Sequence, residues 1–246
     1  AAHFADPAAG PVVAGYFEGN AASARVLAGL GFVETGRDHR RSASLGQDLP
    51  HVVVQLTREA WAQAHPLEIE TARLRLAPLE PERDASDLAR IGGMPEVARQ
   101  MFSLRAPWPE VEVRDWITAS RWRGCLGFRL GIWRGAVLIG MVGIGGRPCS
   151  VSYFIDPAEA GQGYATEAMR GLLAAAMARF GLDSVVADHF VDNPASGAVL
   201  RKLGFRQTGA GMGESGARQG LHPTVEYRLD RDVFLRQHGG EGVRSC

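Results

Sequence analysis

Apolar residues follow two different spacings along this chain, and together they predict a protein of mixed helices and strands. Period-two alternation and short apolar runs indicate strands, whereas apolar residues three and four apart indicate helices. In the C-terminal part, strands are predicted at residues 71–76, 128–133, 136–143, 151–155, 185–191, 205–209 and 224–229, and helices at 82–91, 110–123, 194–203 and over a longer stretch ending near 180. Strands first, then strands that alternate with helices, predict a mixed α/β sheet.

The first 65 residues predict a shorter set of elements. Strands are expected at 12–17, 32–36 and 51–56, and helices at 21–30 and 57–64. Asn20 is the expected N-cap of the first helix, and Gly31 is expected to end it. Pro66 stops the second helix, so we predict a domain boundary within residues 62–70.

One block of sequence occurs twice, at a constant offset of 173 residues. Residues 12–36 and 185–209 align without a gap, and 14 of these 25 positions are identical. A repeat of this length indicates duplicated domains rather than a solenoid. Only about a dozen residues precede the first copy, whereas over a hundred precede the second within its own unit. We therefore predict a partial domain at residues 1–65 and a complete one at residues 66–246.

Composition argues against several classes of protein. The chain has 27 Lys and Arg against 27 Asp and Glu, whereas nucleic-acid binders normally carry a basic excess, so we expect no nucleic acid as partner. No apolar run approaches the roughly 18 residues of a membrane span, so we expect no membrane partner. The start of the chain lacks the features of a signal peptide. Sparse, unpaired cysteines indicate no metal site and a reducing, cytoplasmic location; they are Cys125, Cys149 and Cys246.

A glycine-rich turn between a strand and the long helix is the first candidate for chemistry. It reads Ile155-Asp-Pro-Ala-Glu-Ala-Gly-Gln-Gly-Tyr-Ala-Thr-Glu, with Gly161 and Gly163 two positions apart. Glycine lets a backbone approach a ligand closely, and the free N–H groups of a helix N-terminus suit a phosphate or pyrophosphate. The run is neither a P-loop nor a dinucleotide fingerprint, because Thr166 stands where the latter needs its third glycine. Alone, such a turn more often marks a tight strand-to-helix connection.

A second run, Asn193-Pro-Ala-Ser196, follows about 30 residues later. An N-cap explains Asn193, but not the distance of this run from the glycine turn. Together with Glu70-Thr-Ala-Arg-Leu-Arg-Leu and Tyr153-Phe-Ile-Asp-Pro, the two runs resemble the GNAT family of acetyl-CoA-dependent N-acyltransferases. The details are most similar to the branch that acetylates the N-terminal alanine of ribosomal proteins. The resemblance covers about residues 68–234, whereas residues 12–61 resemble only the C-terminal half of that fold.

This resemblance implies the GNAT fold, a mixed and mostly antiparallel sheet with splayed central parallel strands, flanked by helices. The splayed strands would be 151–155 and 185–191, with the pantetheine arm of acetyl-CoA between them. A backbone N–H near Ile155 would polarise the thioester carbonyl. The other implied contacts are Glu159, Ala160, Gly161, Gln162, Gly163, Tyr164 and Ala165 for the pyrophosphate, and Asn193 and Ser196 for the pantetheine and the thioester sulfur.

The acid of the reaction departs from the family pattern. Many members carry a tyrosine four residues before the glycine of the Gly-Phe pair, and this chain has Leu200 there. A leucine cannot donate a proton, so Ser196 becomes the best candidate to protonate or hydrogen-bond the CoA sulfur. Asn193 is a further candidate beside it.

The base is the second open role, because an attacking amine is protonated at neutral pH and must lose a proton. The candidates near the cleft are Glu159, Tyr153 and His189, of which the histidine has the most suitable ordinary pKa. Side chains alternate along a strand, so either Asp188 or His189 faces the cleft, but not both. A chain of water molecules without a single base is the alternative.

These features predict an enzyme that transfers an acetyl group to a primary amine by direct attack on the thioester. The acceptor would be a protein N-terminus or a small molecule. A non-catalytic CoA-binding or interaction protein, and an aminoglycoside or small-amine acetyltransferase, are the alternatives. The partial domain lacks the glycine turn, so we expect it to bind no CoA by itself. A homodimer, packing against the complete domain, or upstream residues should cover its open sheet edge.

Overall fold

The computed structural model describes residues 2–6 and 8–239, and the chain divides into two compact units. Unit 1 comprises Ala1–Pro66 with Arg123–Cys125, and unit 2 comprises Leu67–Trp122 with Leu126–Cys246. Each unit has its own sheet. Within the described residues, no helix combines the length and the apolar character needed to cross a membrane.

Unit 1 is built on a three-stranded antiparallel sheet. Its elements are α1 (Ala2–Ala5), β1 (Val12–Phe17), α2 (Ala21–Gly29), β2 (Val33–Arg41), β3 (Asp48–Leu56) and α3 (Arg58–Ala64). The central strand β3 pairs with β1 on one side and with β2 on the other. The capping residues act as their positions predict, because Asn20 accepts the N–H of Ser23 and Thr57 accepts the N–H of Ala60, each at 3.1 Å.

Unit 2 is an eight-stranded mixed sheet with helices on both faces. The strands are β4 (Ile69–Glu70), β5 (Arg75–Ala77), β6 (Phe128–Arg134), β7 (Val137–Gly145), β8 (Ser150–Ile155), β9 (Ser184–Phe190), β10 (Arg206–Glu214) and β11 (Leu221–Asp230). The helices are α4 (Pro81–Gly92), α5 (Pro95–Ala98), α6 (Glu110–Ala119), α7 (Tyr164–Phe180), α8 (Pro194–Lys202) and α9 (Arg231–His238).

The strand order of unit 2 is β10-β11-β9-β8-β7-β6-β5-β4, and every neighbouring pair is antiparallel except β8 with β9. The one parallel pair lies in the interior of the sheet. This arrangement confirms the predicted fold class, a mixed and mostly antiparallel sheet flanked by helices.

Different helices cover the two faces of this sheet. Phe154 of β8 lies in one apolar cluster with Leu88 of α4 and Ile117 of α6. On the other face, α7 contacts β7 and β8 and has fully buried Met169 and Leu172. We call these the α4–α6 face and the α7–α8 face. Because successive side chains of a strand point to opposite faces, this division fixes which residues of β8 and β9 meet.

The predicted strand at residues 71–76 is wrong, because residues 71–74 form a turn between β4 and β5 and only the last two residues of the segment belong to a strand. The Thr71 hydroxyl accepts the Leu74 N–H at 3.1 Å, and the Thr71 N–H donates to the Leu74 carbonyl at 2.9 Å. Threonine side chains compete with the sheet ladder in this way, and here the chain reverses so that β4 and β5 pair with each other. Alternating apolar residues alone could not reveal that local competition.

Other boundaries also differ from the sequence prediction: α6 is shorter than predicted, and the hairpin strands β2, β3, β10 and β11 are longer. Helix α6 ends at Ala119 rather than 123, where the Ser120 hydroxyl donates to the carbonyl of Trp116 at 2.7 Å. Strands β10 and β11 are longer than predicted, because their antiparallel pairing continues to Glu214 and Leu221. The short helix α5 and the C-terminal helix α9 had no clear periodic signal in the sequence.

The duplicated blocks fold alike, element by element. Adding 173 to a residue number converts the bounds of α2 into those of α8, and the bounds of β2 into those of β10. The pairing register agrees as well, since Val12 opposite Leu56 corresponds to Val185 opposite Leu229. Even the register shift between β2 and β3 recurs at the equivalent place between β10 and β11. That residues 1–65 are a partial domain of the family stays a prediction.

Candidate active site

The site begins at a gap between β8 and β9. The two strands pair in parallel only at Ser150 and Val186, where the Val186 N–H donates to the Cys149 carbonyl at 2.9 Å. The Asp156 N–H donates to the carbonyl of Ile139 in β7, on the side away from β9, at 2.7 Å. Backbone groups of successive strand residues point to opposite edges, so the Ile155 N–H points into the gap. The expected backbone donor near Ile155 is therefore correctly oriented for a ligand between the strands.

A glycine-rich turn closes the C-terminal end of β8. Gly161 and Gly163 have φ values of +79° and +80°, which glycine adopts without the Cβ clash of other residues. The first helical hydrogen bond of α7 is donated by the Glu167 N–H to the Gly163 carbonyl. Within the described part of the chain, the backbone N–H groups of residues 161–166 find no acceptor. This row of free donors at a helix N-terminus suits a pyrophosphate.

The available donors start two residues later than the sequence predicts. The Glu159 N–H donates to the Asp156 carbonyl at 2.8 Å, and the Ala160 N–H donates to the Pro157 carbonyl at 3.2 Å. A 3₁₀ turn at Pro157–Glu159 uses both groups, so neither can bind an anion. The Glu159 carboxylate, a candidate base, forms an ion pair with Arg134 at 2.6 Å and so already has a partner.

Arg73 holds the glycine turn in place. Its guanidinium bonds to the Gln162 carbonyl at 3.0 Å, pairs with the Glu167 carboxylate at 2.6 Å and lies 4.6 Å from the Tyr164 ring centre. The Glu167 side chain is buried and also accepts the Thr71 hydroxyl at 2.7 Å. Burial raises the pKa of Glu167, but its hydrogen bonds from Thr71 and Arg73 outweigh burial and leave the pKa below its usual value.

Tyr153 and Ser196 meet on the α7–α8 face. The Tyr153 hydroxyl and Ser196 Oγ are 2.7 Å apart, which joins the splayed strand β8 to helix α8. Burial raises the pKa of Tyr153 to about 12, against a smaller opposing effect of the bond to Ser196. The phenol is thus protonated at neutral pH and cannot act as a base there. It can donate a hydrogen bond to Ser196.

Asn193 and His189 both have structural contacts: Asn193 caps helix α8, and His189 packs against it. Asn193 Oδ1 accepts the Ser196 N–H at 3.1 Å, as an N-cap of α8. His189 is buried, its Nδ1 donates to the Phe190 carbonyl at 2.8 Å, and its Nε2 lies 3.4 Å from the Tyr227 hydroxyl. A Cβ added at Gly197 of α8 would lie 2.6 Å from His189 Nε2, so the imidazole points at α8. Packing thus explains His189 without a role as base.

A pair of carboxylates lies on the α4–α6 face, and the sequence reasoning did not identify it as a pair. Asp188 of β9 and Glu226 of β11 stand opposite each other in the antiparallel register. Both are solvent-exposed, and β10 presents glycines to the Glu226 carboxylate, where a Cβ at Gly209 or Gly211 would lie 2.8 or 2.9 Å from its oxygens. Partial burial of the Asp188 carboxyl, and then the negative charge of Glu226, raise the pKa of Asp188, although its side chain still reaches solvent.

Aromatic and charged side chains border these carboxylates. Phe190, two residues after Asp188, lies 4.8 Å from Phe102, and the Arg218 guanidinium stacks over Phe190 at 4.6 Å. Arg218 also pairs with Asp192 at 2.8 Å and lowers the pKa of that carboxyl through its hydrogen bond. The segment around Phe102 therefore lies next to the β10–β11 hairpin, where a Cβ added at Gly213 would clash with the Phe102 ring.

A gap between parallel strands, free N–H groups beside it and protonatable groups on both sides define a CoA-dependent acyltransferase. The family model described as Acetyltransferase (GNAT) domain matches residues 73–206, more than half of the chain. The chain therefore belongs to the GNAT acetyltransferase family, as its motifs predict. It is an acetyl-CoA-dependent N-acyltransferase that uses acetyl-CoA as its co-substrate.

Solved structures share the fold at low sequence identity. RimL, a ribosomal L7/L12 α-N-protein acetyltransferase in complex with CoA, is 16% identical with a TM-score of 0.55, over 68% of this chain and 99% of its own. Mycobacterium smegmatis RimJ in complex with CoA-disulfide is 20% identical with a TM-score of 0.56, over 74% and 95%. Spermidine N-acetyltransferase from Vibrio cholerae, with CoA and spermine, is 17% identical with a TM-score of 0.56, over 67% and 99%.

Proposed function

We propose that unit 2 acetylates the α-amino group of a protein or peptide, and that this amine attacks the thioester of acetyl-CoA directly. One observation carries this proposal: β8 and β9 separate beyond Val186, and the free N–H groups of residues 161–166 lie at one end of the gap between them. The row of donors fits the pyrophosphate, and the strand gap fits a pantetheine arm bound like an extra strand. The Ile155 N–H then polarises the thioester carbonyl.

Proton transfer on the acceptor side is assigned to Asp188 with Glu226. Two neighbouring carboxylates attract the ammonium form of the acceptor, and Asp188 takes one proton from it, which frees the nitrogen lone pair for attack. The nitrogen loses its second proton to solvent when the tetrahedral intermediate collapses to the amide. The raised pKa of Asp188 is closer to neutral pH than the pKa of an ordinary aspartate, which makes this carboxylate a better base. This assignment replaces His189, whose imidazole points into the packing beneath α8.

Proton transfer on the sulfur side is assigned to Ser196 and Tyr153. As the carbon–sulfur bond breaks, Ser196 Oγ gives its proton to the departing sulfur. The Tyr153 hydroxyl, 2.7 Å away, replaces that proton, and a proton from solvent then restores the phenol. The pair supplies the acid that Leu200, fully buried in the core, cannot supply.

A small polyamine is the second candidate acceptor, because paired carboxylates also suit a flexible polycation. The acceptor panel that separates the two contains an alanine-initiated peptide, the same peptide with a blocked α-amine, and spermidine. Release of free CoA thiol measures turnover, and mass spectrometry locates the acetyl group. We expect the unblocked peptide to be acetylated at its α-amine. Turnover with spermidine alone would favour the second candidate, and turnover with none would contradict the proposal.

The cytoplasm, indicated by the unpaired cysteines, stays a predicted location.

A further inference from the structure

The free edge of unit 1 is equivalent to the edge of β9 that faces β8. Val13 of β1 corresponds to Val186, the one residue of β9 that pairs with β8. β1 pairs only with β3 in the described chain, and Val13 is 60% exposed. Unit 1 therefore has the same backbone edge that binds a parallel strand in unit 2. In unit 1, no described strand pairs with this edge.

The adjoining helix shows the same difference. Helix α2 has no buried residue, and Leu30, near its C-terminal end, is 45% exposed. The equivalent Leu203, after helix α8, is fully buried, and so is Leu200, the equivalent of Leu27. In unit 2, α8 contacts α7, and unit 1 has no described counterpart of α7. An apolar helix face next to an open strand edge is a surface that a partner is expected to cover.

We propose that β1 and α2 form a docking surface for a strand, glycine turn and helix like those at residues 150–180. The partner is thus the N-terminal half of a second domain of the same fold, entering parallel to β1 and laying its helix on Leu27 and Leu30. The internal repeat identifies this partner, because β8 and α7 cover the equivalent residues in unit 2. Equal registers on the two sheets make the same geometry available to both.

The test supplies that partner within one chain. A lengthened protein carries a second copy of residues 67–183 ahead of the complete chain, and amide hydrogen exchange is measured on α2 and β1. We expect amides of α2 to exchange rapidly in the original chain, and to slow by at least about tenfold in the lengthened one. This readout needs no CoA, so it does not depend on the proposed function.

Two variants of the lengthened protein control for surface charge. Leu30→Asp places a carboxylate on the docking face and should abolish the added protection. Ala28→Asp places the same charge where the equivalent Arg201 is exposed, and should leave the protection intact. Circular dichroism of each variant in the original chain checks that α2 still folds.

Two results would overturn the proposal. One is α2 exchange that is as fast in the lengthened protein as in the original chain. The other is a dimeric original chain with α2 already protected, which Leu30→Asp converts to a monomer. That second result would identify another copy of this chain as the occupant.

Discussion

Residues 12–64 and residues 185–237 have the same fold, yet among the described residues only the second block adjoins the candidate cofactor site. The positions they share are mostly structural: Asn20 and Asn193 cap their helices with the same 3.1 Å bond. Gly31 and Gly204 follow those helices with φ values of +88° and +93°. The duplicated sequence thus encodes a helix–hairpin framework that forms with or without the chemistry.

The positions that differ carry the proposed chemistry. Gly15 and Val53 of unit 1 stand where unit 2 has Asp188 and Glu226. Ser23 is identical to Ser196 but has no strand equivalent to β8, and hence no partner equivalent to Tyr153, in the described chain. The comparison indicates that the shared framework alone does not make a site, because the proposed chemistry also needs Asp188 and Glu226 within the second block and Tyr153 of β8 beside it.

The largest difference between the blocks should follow from a glycine substitution. Gly163→Trp places an indole where the pyrophosphate is expected, at a φ of +80° that tryptophan tolerates poorly. We expect at least about a 1,000-fold loss of CoA affinity, or about 4 kcal/mol, by titration calorimetry. Gly19→Trp is the matched control in unit 1, with a φ of +90° and open space around it, and should leave CoA affinity unchanged.

A second test removes the proposed base. Asp188→Asn should lower kcat by about 100-fold with CoA affinity unchanged, because it removes proton acceptance and not cofactor binding. The folded-state pKa of Asp188 is above its usual 3.8, so the ionised carboxylate opposes folding at neutral pH. The variant should therefore lose activity while its Tm stays equal or rises. A kcat within twofold of the original would remove Asp188 from the mechanism, and Asp230→Asn, beside Arg228, controls for charge.

A third test loosens the glycine turn without touching the ligand. Glu167→Gln removes the charge that Arg73 pairs with, and we expect about tenfold weaker CoA binding and about 1–3 kcal/mol lower stability at pH 7. The folded pKa of Glu167 is below its usual 4.5, so its contribution is complete above that pH and disappears as pH falls through the folded value. The Tm difference from the original protein should thus shrink below about pH 4.5. A difference independent of pH would indicate a packing effect alone.

The smallest expected effect compares one residue in two settings. Ser196→Ala should lower kcat by about fivefold and stability by about 1 kcal/mol, because the half-buried Tyr153 hydroxyl loses its 2.7 Å bond and keeps only the Ser196 carbonyl at 3.3 Å. Ser23→Ala at the equivalent place should change stability by less than about 0.5 kcal/mol and leave turnover unaffected. Equal effects at both positions would mean that the bond between Ser196 and Tyr153 contributes nothing to turnover or stability.

Much of the fold could be predicted because local chemistry determines it. Asn20, Asn193 and the glycines after each helix indicate the helix ends, and the glycine turn indicates the start of α7. The repeat likewise predicts equivalent elements in the two blocks. The break after Glu70 was missed because a hydroxyl competing for backbone groups leaves no trace in an apolar pattern.

The site was harder to predict because its contacts join distant segments. Tyr153 and Ser196 were each named from the sequence, but their hydrogen bond spans 43 residues and depends on how α8 lies over β8. Alternation along β9 left open whether Asp188 or His189 faces the cleft, and of the two only His189 was predicted as a candidate base. The pairing register of β9 with β11, which brings Glu226 to Asp188, was needed to distinguish them.

The central claim is that only the second block, bordered by β8 and the glycine turn, binds the cofactor. Calorimetric titration of CoA into the intact protein, with hydrogen exchange to locate the bound ligand, tests this most directly. We predict one CoA per chain, with protection at residues 161–166 and none at residues 18–24. Two CoA molecules per chain, or protection at residues 18–24, would contradict the claim.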